Sequence, residues 1–303
     1  MMKRALTLTV VAHMTSNYGE GLGNIASVQK IFKDGKTYAM RSRESLKYSL
    51  MTQSGMYKDL RAVSNGATQK LVDEENNVSN VRALEGGYMN TAVKIGKETL
   101  TKVRKSSFYL TDAISVEPLT VNGRFHNNLG LATAFANDKS HEKELNVQND
   151  AKEVGLMPYQ YEYDKGLKIY SFTIDLDMVG KDENFKVEAS TEEKAKRVEM
   201  LLEGIENLSL IVKGNLDNAE PLFIVGGLSN RMTHYFENVV RVKENKLQIT
   251  EDFVERVNSG YKAGLLNGKN LDNEEEIKEK LNSVSMLKFF NDLKKDIKAN
   301  YGI

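Results

Sequence analysis

The segment from Gly166 to Leu228 limits the possible folds more than any other part of the chain. Its first piece, "GLKIYSFTIDLDMVG" (166–180), alternates apolar and polar residues with the period of a strand. Next, "STEEKAKRVEMLLEGIENL" (190–208) sets Ala195, Val198, Leu202 and Ile205 on one helical stripe behind a Ser190–Glu193 capping box. "PLFIVGGL" (221–228) follows, an apolar run short enough for a buried strand and ended by a glycine pair. The N-terminal part repeats the theme. Arg4–Ala12 alternates Leu6, Leu8 and Val10 against Thr7 and Thr9. "GKTYAM" (35–40) is a short extended piece, and "SRESLKYSLM" (42–51) is a helix with Ser42 as N-cap and Leu46 and Leu50 on one face. "SSFYLTDAISVEPLTV" (106–121) alternates again.

Without its insertions the chain therefore reads strand, helix, strand, strand, helix, strand. That is an α+β fold of the RRM- or ferredoxin-like βαββαβ pattern. An ordinary RRM carries an aromatic consensus on its central strand. "KIYSFTIDL" lacks the glycine-aromatic part of it, so a standard base-stacking sheet is not expected. Residues 55–105 are polar and mixed and read as an inserted, partly helical region. The stretch 122–165 shows little periodicity, and an insertion that long between strands is as a rule functional or disordered. "VVRVKENKLQI" (239–249) reads as a hairpin turning at Glu244-Asn245, and 273–298 as one charged amphipathic helix.

Composition removes several classes of function. The 303 residues include no cysteine, which excludes disulfides and thiolate metal sites. The four histidines (His13, His126, His141, His234) share no ligand spacing, so neither a metal nor another cofactor is expected. No apolar run approaches the roughly 18 residues of a membrane span. The opening "MMKRALTLTVVAHMT" alternates like a strand and has no cleavage site after it. A cytoplasmic protein without membrane contact is the expectation. Charges balance at 42 basic and 42 acidic, but unevenly: residues 1–110 hold 17 Lys/Arg against 9 Asp/Glu, leaving 25 against 33 for the rest. A basic first third suits a face that meets phosphate, although the acidic C-terminal helices alone would give the same imbalance.

A glycine-rich stretch, "NYGEGLGN" (17–24), directly follows the first strand. From Gly19 its spacing is G-x-G-x-G, with Asn24 where a dinucleotide fingerprint needs a third glycine, and the Walker pattern fails around Lys30. What remains is a pliable loop whose backbone N–H groups at Gly19, Gly21 and Gly23 approach a sugar-phosphate chain or a neighbouring subunit. The sequence beyond it is basic. Lys30, Lys33, Lys36, Arg41, Arg43 and Lys47 are interleaved with Ser42 and Ser45 at a helix start, whose N–H groups favour anions.

At this point a resemblance emerges. The run "N-x-x-S-V-Q-K…G-K…S-x-E-S-L-K" resembles the opening of the crRNA-binding backbone subunits of type I CRISPR Cascade complexes, the RAMP-related DevR family. "YSFTIDLDMVG", "KRVEMLLEGIENL" and "AEPLFIVGG" are similar to the same family in order and spacing. Together the matches span roughly residues 4–54 and 166–228.

The resemblance implies a hand-like molecule. An RRM-like palm is built from 1–54, a strand at 106–121, and 166–250. Helical fingers are inserted at 55–105, a long β-hairpin thumb at 122–165, and C-terminal helices at 251–303 pack on the palm. It implies copies of the chain stacked head to tail along one crRNA, with the other Cascade subunits (processing nuclease, large and small subunits) as partners. Target DNA is met indirectly, by pairing with the guide. Phosphate contacts then fall to Asn24, Lys30, Lys36, Arg41, Ser42, Arg43 and Lys47, with Glu44 orienting Arg41 or Arg43. Arg231, after the Gly226–Gly227 pair, is a further contact at a strand end, where the two glycines allow close backbone approach. Lys33 and Lys36 equally suit a solvated hairpin tip. Phe125, Leu129 and Met157, with Leu131 and Phe135, are thumb residues for wedging between bases, against the alternative of packing the hairpin's own core. Arg124, His126, Asn127 and Asn128 are candidates to touch RNA or the target strand.

Catalysis is not expected. His13 precedes the glycine stretch, and a related crRNA-processing branch uses a histidine as general base, but His13 has no evident acid partner. Asp34 lies where type III backbone subunits carry an RNA-cutting aspartate, and here Asp-Gly reads as a turn. A crRNA-processing endoribonuclease of the same superfamily is the alternative reading, and a ferredoxin-like scaffold that binds no RNA a third.

Overall fold

The computed structural model of the chain describes residues 3–22, 25–95, 98–120, 122–141, 143–212 and 214–303. At its centre runs β1 (Ala5–Thr15), whose alternation divides two cores: Leu6, Leu8, Val10, Ala12 and Met14 enter one and Val11 the other. The chain continues through β2 (Tyr18–Leu22), β3 (Ile25–Val28), β4 (Lys30–Lys33), β5 (Lys36–Arg41) and α1 (Arg43–Gln53). Ser42 caps α1 as read from the sequence, and Leu46, Leu50 and Met51 are its buried residues.

The insertion at 55–105, read as partly helical, holds two 3-10 helices, Met56–Asp59 and Arg82–Gly86, and is otherwise built on β-hairpins. It holds β6 (Ala62–Asn65) paired with β7 (Ala67–Lys70), and β8 (Tyr88–Ile95) paired with β9 (Glu98–Arg104). Gly66, at φ +73°, turns the first hairpin between Asn65 and Ala67, which pair with each other across it. The strand expected over 106–121 is two short ones, β10 (Phe108–Leu110) and β11 (Ala113–Ser115). Then come β12 (Asn122–His126), α2 (Leu129–Ala136), β13 (Tyr159–Tyr163) and the long β14 (Lys165–Asp175).

After β15 (Lys181–Asp182) and β16 (Val187–Glu188), α3 (Thr191–Glu206) forms as the apolar stripe requires. Its capping box is only half made. Ser190 Oγ accepts from the Glu193 N–H at 3.3 Å, while the Glu193 carboxylate turns away to Arg82 and Arg197. The chain ends with β17 (Ser209–Val212), β18 (Asn215–Asn218), β19 (Pro221–Ser229), β20 (Val242–Lys243), β21 (Lys246–Leu247), α4 (Glu251–Asn258), β22 (Lys262–Leu265), α5 (Glu274–Leu281), β23 (Val284–Ser285) and α6 (Met286–Tyr301). Glu244 and Asn245 form the β20–β21 turn, both at positive φ. The single helix expected over 273–298 is α5 and α6, broken where Asn282 turns left-handed at φ +48° and Ser285 caps a new start.

The main sheet runs β23-β22-β19-β1-β14-β11-β5-β4, with β10 also on β14. One face packs against α1, α3 and α6 through residues such as Leu50, Leu202 and Phe290; the other packs against α4 and α5 through Phe253 and Ile277. Thr7, Thr9, Ser171 and Thr173, polar positions of the alternation, lie buried on this second face and bond to one another, Thr9 Oγ1 meeting Ser171 Oγ at 2.7 Å. Gly226 is required by backbone packing: a Cβ there would fall 1.9 Å from the Thr7 carbonyl oxygen. Among the described residues no helix is long and apolar enough to cross a membrane.

Candidate nucleic-acid interface

The C-terminal end of β1 gathers the basic cluster, and the geometry sorts its members. Arg41 is buried; it donates Nε to the Thr15 carbonyl at 3.0 Å and Nη1 to Ser45 Oγ at 2.8 Å, and burial pulls its guanidinium down to about 10. It ties β1 to α1 instead of reaching a ligand. Lys47 lies on the inner side of α1, donating to the Gly86 carbonyl at 2.7 Å and to Ser106 Oγ at 3.1 Å, 5.0 Å over the Phe108 ring. Burial lowers its amine to about 8. Its job is to hold the 55–105 insertion. Lys30 is engaged too, with Glu162 of β13 at 2.7 Å.

The outward groups are Lys36, Arg43 and the Ser42 hydroxyl. Lys36 is exposed, and Arg43 is exposed with Glu44 at 2.8 Å, so of the two arginines it is Arg43 that Glu44 orients. Ser42 Oγ accepts from the Ser45 N–H, leaving its proton to donate. The helix N-terminus is less open than its sequence suggests, because the Arg43 N–H already donates to Asp112 Oδ1 at 2.7 Å. Lys33 sits 4.0 Å from Asp34 on the β4–β5 turn, where Asp34 has φ +50°.

The glycine stretch is a strand. Gly19 and Gly21 belong to β2, which pairs with β3, and β3 pairs in parallel with β13. The four-stranded sheet β12-β13-β3-β2 thus fuses the glycine ribbon to the 122–165 insertion. Gly23 and Asn24 lie outside the described residues. Asn17 links this ribbon to the helix start, its Oδ1 accepting the Ser42 N–H at 2.7 Å.

One face of the β12–β13 ribbon is a ladder of rings. His126 stacks on Tyr159 with centroids 5.6 Å apart and meets the Tyr161 hydroxyl through Nε2 at 2.9 Å, while the Arg124 guanidinium lies 3.5 Å from the Tyr163 ring centre. Tyr18 approaches Tyr161 edge-on, and burial pushes its hydroxyl up to about 12. Asn127 and Asn128 shape the ribbon's end: Asn127 Oδ1 accepts from the Leu129 N–H, and Asn128 bonds Gly155 and Met157. Beyond them α2 packs a small core of Ala132, Ala136 and Val154. Phe125, Leu129, Leu131, Phe135 and Met157 are all left exposed, between 47 and 76 %.

Arg231 is not brought to this cluster. Ala5 pairs with Ser229, whereas Arg41 bonds Thr15, so the two sites are separated by the length of β1, about 33 Å at strand rise. His13 borders a cleft of about 400 Å³ with Lys165; partial burial, then Lys165 and Lys168, keep its ring below the usual histidine range. No group of three His, Asp or Glu able to hold a metal occurs among the described residues.

The family model of the CRISPR-associated negative auto-regulator DevR/Csa2 matches residues 6–251. A solved structure described as a CRISPR RNA-guided surveillance complex is similar at a TM-score of 0.52 and 13 % identity, over 88 % of this chain and 90 % of that one. Another, a pre-nicking CRISPR RNA-guided surveillance complex, is similar at 0.52 and 10 % identity, over 88 % and 93 %. At these identities the likeness is one of fold. No curated protein sequence matches the chain.

Proposed function

The chain belongs to the CRISPR-associated DevR/Csa2 family, and from that membership we propose that it is a non-catalytic crRNA-binding subunit of a surveillance complex. Copies of it line up head to tail along one guide RNA in the cytoplasm and hold the guide for pairing with target DNA, beside the complex's other subunits. The strand order β19-β1-β14-β11, with α1 and α3 on one face, sets the fourth, first, third and second strands of βαββαβ side by side, which supports an RRM-like palm. In this reading 55–105 is the finger region, 122–165 the thumb, and 251–303 a support behind the palm.

One observation carries the reading. Ser42 and the exposed Arg43 follow β5 at the end of β1 from which the ring-bearing ribbon rises, and the exposed Lys36 opens the same strand at the β4–β5 turn. Lys30–Glu162 and Asn17–Ser42 tie this hairpin and helix start to the ribbon. Point charges and hydroxyls grip phosphate without reading bases, so sequence is left to the guide.

Anisotropy titration of an unstructured, guide-length RNA with the full chain tests it. Unrelated RNA sequences should bind alike, and binding should weaken as salt rises from about 50 to about 200 mM. Lys36→Glu and Arg43→Glu should weaken all sequences equally, with the log–log salt slope flattening by about 0.7 for each phosphate that the variant no longer neutralises. No RNA affinity at low salt would remove the proposal, and cleavage of repeat RNA by the chain alone would overturn its non-catalytic part.

A further inference from the structure

At the opposite end of β1 a groove of about 510 Å³ opens between the end of β19, the start of β22 and α6. Its charged lining residues are Lys3, Arg231, Lys262 and Asp296. Asp296 is committed to Lys262 at 2.8 Å. Neither the Lys3 amine nor the Arg231 guanidinium has a side-chain ion pair or hydrogen bond among the described residues, which leaves an excess of two positive charges. Two other clefts of similar size differ. The one beside Arg43 sets Lys33, Arg43 and Arg241 against Asp34, Asp112 and Glu237, and the one beside His13 sets Lys165 against Glu117 and Asp164.

The uncharged parts of the groove are equally particular. Tyr261 is fixed from two sides: its ring stacks on Tyr235 with centroids 5.1 Å apart, and its hydroxyl donates to Ser229 Oγ at 3.1 Å. Opposite the ring lies Gly227, where a Cβ would come within 3.5 Å of Tyr261 Cδ1. With no side chain on Gly227, that edge of the Tyr261 ring stays uncovered, while Tyr235 and Phe236 hold the ring in place. A half-buried tyrosine ring lining the groove next to two unpaired cations matches a base joined to a phosphate, and the volume suits one such unit.

We propose that this groove is a nucleotide-binding site, holding the phosphate on Lys3 and Arg231 and the base against Tyr261, separate from the interface at α1. A free nucleotide and the end of a single strand offer the same chemistry, and the site does not depend on the crRNA reading. Arg231 then acts here, about 33 Å from the cluster with which its sequence position had grouped it.

Calorimetric titration of the full chain with uridine monophosphate, inorganic phosphate and a uridine tetranucleotide tests the site. Uridine monophosphate should bind saturably and more tightly than phosphate. Arg231→Glu and Lys3→Glu, both on exposed or half-exposed side chains, should each weaken it about tenfold or more with the melting temperature unchanged. A tetranucleotide that binds more tightly than the monomer, with the gain lost in Arg231→Glu, identifies a strand end; equal binding identifies a free nucleotide. Absence of binding, phosphate binding as tightly as the nucleotide, or unchanged affinity in both variants would overturn the proposal. Guide-length RNA binding retained by Arg231→Glu is expected. Its absence in the unaltered protein would instead remove the crRNA reading and leave the nucleotide result standing.

Discussion

The Glu85 carboxylate receives the Arg197 guanidinium at 2.9 Å, with both side chains 1 % exposed. Its other oxygen faces Arg104 at 3.3 Å and accepts from Ser107 Oγ at 2.7 Å, and the Gly180 N–H donates to the first at 2.6 Å. One carboxylate therefore joins the 55–105 insertion, α3 and the loop after β14. Arg197 keeps Glu193 at 2.8 Å, but removing Glu85 leaves the buried Arg104 with no carboxylate, so Glu85→Ala should cost about 3–5 kcal/mol. Urea unfolding measures this, and a loss below about 1 kcal/mol would show that water or rearrangement satisfies the arginines.

Lys47 gives the protein an alkaline signature. Its amine titrates near 8 when folded because burial disfavours the charge, against about 10.4 in an unfolded chain. Between these values the unfolded state binds more protons, so stability rises with pH across that window. Lys70, lowered to about 8 first by burial and then by Lys47 and Arg104, adds a second contribution of the same sign. In Lys47→Met part of the rise should vanish, the unaltered protein gaining about 1–2 kcal/mol on the variant between pH 8 and about 9.5. Unfolding curves at the two pH values decide it; parallel behaviour would mean that Lys47 stays charged throughout.

These two cases mark the boundary of what the sequence made legible. β1, α1, α3 and β19 could be read because each carries an apolar stripe that one sheet must bury, and the stripe has a local period. The basic cluster could be located but not sorted. A cation at a helix start looks the same whether it faces water, as Arg43 does, or reaches an acceptor such as Ser106, 59 positions away, as Lys47 does. Lys30 likewise pairs with a glutamate 132 positions on. The glycine stretch carries a strand signal of its own, since Tyr18, Glu20 and Leu22 alternate with its glycines at the strand period, and Asn65-Gly66 marks a hairpin in the insertion read as partly helical.

The exposed side chains of the 122–165 ribbon yield the last prediction. Phe125 and Met157 are 61 and 67 % exposed, so neither supports the fold, and their replacement by serine should leave the melting temperature within a few degrees. Apolar groups left in water on an arm that carries aromatic rings suit the proposed wedge between bases. If they enter there, a guide RNA containing 2-aminopurine should brighten on loading where a base is unstacked, and Phe125→Ser/Met157→Ser should abolish the brightening. If, as proposed, phosphate contacts at Lys36 and Arg43 carry most of the grip, affinity should fall by less than about tenfold. Brightening that survives the double replacement would take the wedge away from these two residues and leave them as contacts to a neighbouring subunit.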